Sequence, residues 1–181
     1  MKHWIPTLLA ILLAGCAGPD VQQYRAATPV LDPADYFEGI TDAWGMFQKR
    51  DGEVTKRFHV EITGSRHQDT LTLDEHFRYD DGTTQQRVWR LVRDDDKNGE
   101  QHWRGTAGDV KGEAQGTAAG NALRWQYTLL LPVDGTTYEM QFDDWMFLID
   151  RCTIVNRASM RKFGIEFGQV TLMFRRRACN P

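Results

Sequence analysis

From Thr41 to the C-terminal end the chain alternates apolar and polar residues with a period of two, interrupted at short intervals by Gly, Asp and Asn. That periodicity places successive side chains on opposite faces of β-strands, and helical spacing is scarce. Thr41–Lys49 reads as a first strand ending at Asp51-Gly52. In 54–63, Phe58, Val60 and Ile62 share one face, and Arg57, His59 and Glu61 the other. In 70–79 the apolar face carries Leu71, Leu73, Phe77 and Tyr79, with Glu75 among them.

Two hairpins can be solved for register. Asp80-Asp81-Gly82 suits a three-residue loop with Gly left-handed. That register sets Tyr79 opposite Thr83, Leu73 opposite Trp89, Leu71 opposite Leu91 and Glu75 opposite Arg87. A two-residue loop would scatter the apolar face, so the three-residue form is preferred. Asp134-Gly135, read as a two-residue turn, pairs Leu131 with Tyr138, Leu129 with Met140, Tyr127 with Phe142 and Trp125 with Asp144. Between them come strands at about 101–106 and 109–117. A turn at Ala119-Gly120 sets Val110, Gly112, Ala114 and Gly116 against Leu129, Tyr127, Trp125 and Leu123, with large side chains covering the glycines. Strands near 153–160 and 165–175 complete nine or ten.

A sequential antiparallel meander of this length removes its exposed edges by closing on itself. The expected fold is therefore all-β, a lipocalin- or calycin-like barrel, with an open β-sandwich as the alternative. Eight or more strands leave room for packed side chains or one small ligand.

The start of the chain is different. Lys2 precedes an apolar run, Trp4–Leu13, of about half the roughly 20 residues that a membrane-spanning helix needs. Leu13-Ala14-Gly15-Cys16 follows with the form of a bacterial lipobox, whose cysteine sulfur takes a diacylglyceryl group. Residues 1–15 are expected to be a lipoprotein signal peptide, Cys16 the lipid attachment site, 16–35 a tether rich in Pro, Ala and Gln with one helical turn near Val21–Ala26, and 36–181 a single β-barrel domain. Ala17, after the cysteine, favours sorting to the outer membrane, so a lipid-anchored, periplasm-facing protein is expected.

Composition narrows the function. A formal charge of −3 over 181 residues argues against nucleic acid. G-x-S-x-G, H-E-x-x-H and Cys-x-x-Cys are absent, so the expectation is a non-catalytic protein. His59 and His76 point outward in the registers above, and neither a metal site nor a cofactor is expected. Cys152 and Cys179 are left as a pair in an oxidising compartment, to be read as a disulfide or as two free thiols.

The lipobox together with Tyr36-Phe37-Glu38-Gly39, Ala43-Trp44-Gly45-Met46-Phe47, Leu73-Asp74-Glu75-His76-Phe77, Arg87-Val88-Trp89, Asp143-Asp144-Trp145-Met146 and Asn156-Arg157-Ala158 resembles a family of bacterial lipoproteins catalogued as domain of unknown function 3833. The resemblance spans nearly the whole chain after the signal. It implies no established activity and no functional residues, and it leans toward lipid through the fatty-acid-modifying genes said to neighbour family members.

Glu75, Arg87 and Asp144, placed on the inner face among aromatics, form the candidate site. One reading is a satisfied buried ion pair with a carboxylate at the barrel mouth. The other is a ligand pocket of Glu75, Arg87, Trp89, Trp125, Tyr127, Phe142 and Asp144, in which charges orient the head group of a lipid or another apolar molecule. The expected role is lipid handling in the envelope. The alternatives are a protein-interaction module docking through Trp145 and Phe147, and a lipid-modifying enzyme using Asp144.

Overall fold

A computed structural model describes residues 18–94, 99–133 and 135–179. The expected signal peptide 1–15, Cys16 and Ala17 lie outside the described residues, as do most of the Asp94–Gly99 loop and Asp134 of the Asp134-Gly135 turn.

Ten antiparallel strands form one closed barrel: β1 (Gly39–Lys49), β2 (Val54–His67), β3 (Thr70–Tyr79), β4 (Thr84–Arg93), β5 (Gln101–Thr106), β6 (Ala114–Ala119), β7 (Ala122–Val133), β8 (Thr136–Asp150), β9 (Thr153–Lys162) and β10 (Ile165–Arg176). Each pairs with its sequence neighbours, and β1 pairs with β10 to close the ring. Closure replaces the sandwich alternative and leaves no sheet edge unpaired at this seam.

Turn chemistry sets the registers. Gly82 is left-handed (φ 82°), and the Tyr79 amide donates to the Thr83 carbonyl at 2.9 Å. The ladder then pairs Leu71 with Leu91, Leu73 with Trp89 and Glu75 with Arg87. On the far side, Leu131 meets Tyr138, Leu129 meets Met140, Tyr127 meets Phe142 and Trp125 meets Asp144.

The β6 region departs from expectation. The turn is Gly120-Asn121, so Ala119 pairs with Ala122, Ala118 with Leu123 and Gly116 with Trp125, two residues from the expected register. Ala119 is buried beneath the N-terminal segment, which the expected turn would have exposed. The strand also starts later, at Ala114, because Gly112 (φ 68°) breaks the chain's extension. Val110 still bridges Leu129. Packing of a large ring over a missing side chain survives in a new place: a Cβ on Gly116 would lie 2.3 Å from Trp125.

Residues 107–113 thus form no regular strand. Between the first half of β4 and β7 they are the barrel wall, held by Lys111 N donating to Thr128 O (2.9 Å) and Leu130 N donating to Asp109 O (2.8 Å).

A tether over 16–35 is not what the structure shows from Val21 onward, and the folded unit begins before residue 36. A 3-10 helix over Val21–Tyr24 is capped by the Asp20 carboxylate. It packs Val21 on Ala119 and Ala122, and Tyr24 edge-on to Trp145 and Phe147. The chain then passes under the barrel into a five-residue helix, α1 (Pro33–Phe37), capped by Asp32. Leu31, Ala34, Tyr36 and Phe37 are buried in the main core. The Tyr36 hydroxyl reaches the carbonyls of Cys152 (3.0 Å) and Phe174 (3.2 Å). The approach is so close at β2 that a Cβ on Gly64 would sit 1.6 Å from the Phe37 carbonyl oxygen. This plug closes one barrel end. The same end carries a disulfide between Cys152 and Cys179, which ties the segment after β10 to the β8–β9 turn. No described helix is long and apolar enough to cross a membrane.

Candidate functional site

Inward-facing residues of β1–β5 and β7–β10 surround a cavity of about 190 Å³ above the plug. Its floor includes Pro33 and Phe37, and Glu75, Arg87, Trp89, Trp125, Tyr127, Phe142 and Asp144 all line it. The aromatic wall is ordered: Tyr127 and Phe142 stack at 5.1 Å and 6°, and Trp89 stands edge-on to Trp125 (5.7 Å) and to Tyr127 (5.4 Å). Phe47, Tyr79, Gln85, Leu131 and Met160 line both the cavity and an open basin at the opposite end from the plug, which is the way in.

The polar residues are divided in a way the strand registers did not reveal. Arg87 Nη1 lies 3.8 Å from Glu75. Its stronger partner is Asp109, from the 107–113 wall segment. Arg87 Nε donates to both Asp109 oxygens at 3.0 Å, and Nη2 to Oδ2 at 2.8 Å. Gln85 Nε2 adds a bond to the same carboxylate at 3.3 Å. Burial by itself would lower the Arg87 pKa; the Asp109 hydrogen bonds and the Glu75 charge outweigh it, and the pKa is raised. Alternation in the sequence puts Asp109 at the start of a strand and points to no role for it. The glycines at 108 and 112 were the signal that this stretch leaves the ladder.

Glu75 is pushed up to about 7 by burial, against the opposing charge of Arg87. Asp144 lies on β8 nearer the plugged end than the mouth. Burial pushes it up to about 8, helped by the charge of Asp143, while Arg87 and an Asn156 side-chain hydrogen bond pull the other way. Asn156, on β9, was noted in sequence only as part of a motif; in the structure it is buried beside Asp144 and lines the cavity. Asp144 Oδ1 and Asn156 Oδ1 have no hydrogen-bond partner. Such atoms are uncommon in folded interiors because an unmet buried acceptor is costly. Among the described residues, no group of three or more His, Cys, Asp or Glu side chains is disposed to hold a metal ion.

The family pattern described as "Protein of unknown function (DUF3833)" matches residues 10–176. The chain belongs to this family. No curated protein matches it. Among solved structures, this DUF3833 protein is similar to the S-type phycobiliprotein lyase CPES from Guillardia theta, with a TM-score of 0.60, 6% identity, and coverage of 89% of this chain and 100% of that one. It is also similar to Rv2717c from M. tuberculosis, with a TM-score of 0.56, 15% identity, and coverage of 81% and 99%. At these identities the likeness shows the fold alone: a closed, lipocalin-like antiparallel barrel.

Proposed function

We propose that this DUF3833 protein is a non-catalytic binder that holds one small apolar molecule in its barrel. In this reading it works from the periplasmic face of the outer membrane, anchored through lipid on Cys16, in the handling of envelope lipids or similar apolar compounds. The observation that carries the binding role is the cavity: about 190 Å³, walled by stacked rings and continuous with an open basin at the end away from the plug. A 150 Å³ apolar cavity in a protein core suffices for benzene. The enclosed part therefore suits a ring system or a short chain, and a longer molecule extends through the mouth. The protein-interaction alternative depended on a filled barrel and an open Trp145–Phe147 face. The barrel is hollow, and Tyr24 lies against both rings.

Binding is tested with the mature protein and 1-naphthylmethanol, followed by quenching of Trp89 and Trp125 fluorescence. Saturation at one molecule per chain is expected. It is lost in Ala158→Phe, which fills the cavity, provided circular dichroism shows that variant folded. Absence of saturable binding to the wild-type protein would sink the binding role. The anchor makes a separate prediction: cells expressing the full chain incorporate radiolabelled palmitate into it, and Cys16→Ser abolishes the label. An unlabelled wild type would remove the anchor.

A further inference from the structure

The charges inside the barrel are unevenly matched. Among the described cavity-lining residues Arg87 is the one cation, against the carboxyl groups of Glu75 and Asp144. Arg87 is already engaged: Nε and Nη2 are taken by Asp109, and Nη1 faces Glu75. It has little left to offer a fatty-acid carboxylate or a phosphate, and an incoming anion would also meet both acids. The head-group role that sequence alone suggested for Arg87 thereby weakens.

The unmet demand lies on the acceptor side. Four buried side-chain oxygens lack a partner among the described residues, and two of them, Asp144 Oδ1 and Asn156 Oδ1, line the cavity. Their residues are only 7% and 2% exposed, so bulk water does not serve them. They are neighbours on the paired strands β8 and β9, where Asp144 stands opposite Ala158 and Asn156 opposite Met146. Two oxygens able to accept, one of them on a carboxyl group that burial keeps protonated while no countercharge is near, invite a donor that brings positive charge and lets that carboxyl ionise as its proton leaves to solvent. A charge-assisted N–H···O bond is roughly twice as strong as a neutral one. The surrounding rings favour the same occupant, because a desolvated ammonium group is drawn to the faces of Trp and Tyr, here Trp125 and Tyr127.

Resting on the reading of the barrel as a ligand cavity, we propose that its ligand is a ring-sized apolar molecule bearing a protonated amine. The nitrogen sits on Asp144 Oδ1 and Asn156 Oδ1, and the apolar body lies against Tyr127, Phe142, Trp89 and Trp125. Arg87, held by Asp109, serves the barrel wall.

Three probes of one shape separate this from the parent reading: 1-naphthylmethylamine, 1-naphthylmethanol and 1-naphthoic acid, titrated at pH 7 against the mature protein by calorimetry. The amine is expected to bind at least about tenfold more tightly than the alcohol, equivalent to about 1.4 kcal/mol, and the acid more weakly than the alcohol. In Asp144→Asn, which keeps the side-chain shape but gives the ammonium no countercharge, amine and alcohol should converge to within about threefold. If the alcohol binds and the amine binds no better, or if the amine preference survives Asp144→Asn, the proposal is overturned while the cavity reading stands. If no probe binds, both fall.

Discussion

Asp144→Asn is expected to stabilise the protein at pH 8 while leaving its stability at pH 4 nearly unchanged. Burial raises the Asp144 carboxyl from 3.8 in the unfolded chain to about 8 in the fold. Below pH 4 both states hold the proton, and the carboxyl contributes fully to the folded state. As pH rises past 4 the unfolded chain releases its proton and the folded chain keeps it, so stability declines until the folded group also ionises near 8. Glu75, raised to about 7, adds a decline of the same sign over a shorter window. At 1.36 kcal/mol for each tenfold change in the protonation equilibrium, the Asp144 contribution is on the order of 5 kcal/mol. Asn cannot ionise and removes that part of the slope. Urea unfolding of both proteins at pH 4 and pH 8 measures it. The wild-type midpoint should fall between the two pH values and the variant's much less. Parallel declines would show that Asp144 is not held protonated by its burial.

The same residue illustrates how far sequence reasoning reached. Asp144 lands inside because the two-residue turn after Val133 pairs Trp125 with it, and both lie on a face otherwise apolar. Period two and turn chemistry were enough for Glu75, Arg87, Trp89, Tyr127 and Phe142 as well, since each belongs to a strand whose alternation is unambiguous. The failures occur where alternation carries no information. The Ala and Gly residues of 114–120 look alike on either face, so hydrophobicity could not choose the β6 register, and the choice fell to Ala119, which must be covered by the N-terminal segment. Residues 18–35 have a linker's composition, yet a few apolar side chains, Val21, Tyr24 and Leu31, are enough to dock them. No local pattern announces that docking, because the surface they meet is built from strands a hundred residues away. Asp109 was missed for a related reason: it lies on neither hairpin that could be solved, and its partner Arg87 is 22 positions distant. That omission mattered most, because it left Arg87 looking free for a ligand.

Arg87→Met tests the reassignment of that arginine. Arg87 and Glu75 are almost wholly buried and Asp109 is about three-quarters buried, with side chains 12%, 13% and 26% exposed. Removing one member of a buried ion pair typically costs about 3–5 kcal/mol, because the charge left behind is neither solvated nor paired. Here two carboxyl groups are left. Glu75 can escape by holding its proton: without Arg87 to pull it down, its pKa climbs above 7, and its unfavourable effect grows as pH rises through neutrality. Asp109 escapes by turning toward solvent, which releases the segment that closes the wall between β4 and β7. The expected result is a loss of about 3 kcal/mol at pH 7, larger at pH 8 than at pH 5. Faster hydrogen exchange should appear at the amides of Lys111 and Leu130, the two that pin this segment. Pairing the change with Asp109→Asn removes the stranded wall charge and should return about half of the loss, a non-additivity characteristic of directly bonded partners. An Arg87→Met protein that loses less than about 1 kcal/mol, with unaltered exchange at both amides, would mean that the wall stands without the clasp. Arg87 would then again be available to a ligand, and the case for a cationic occupant would lose one of its two supports.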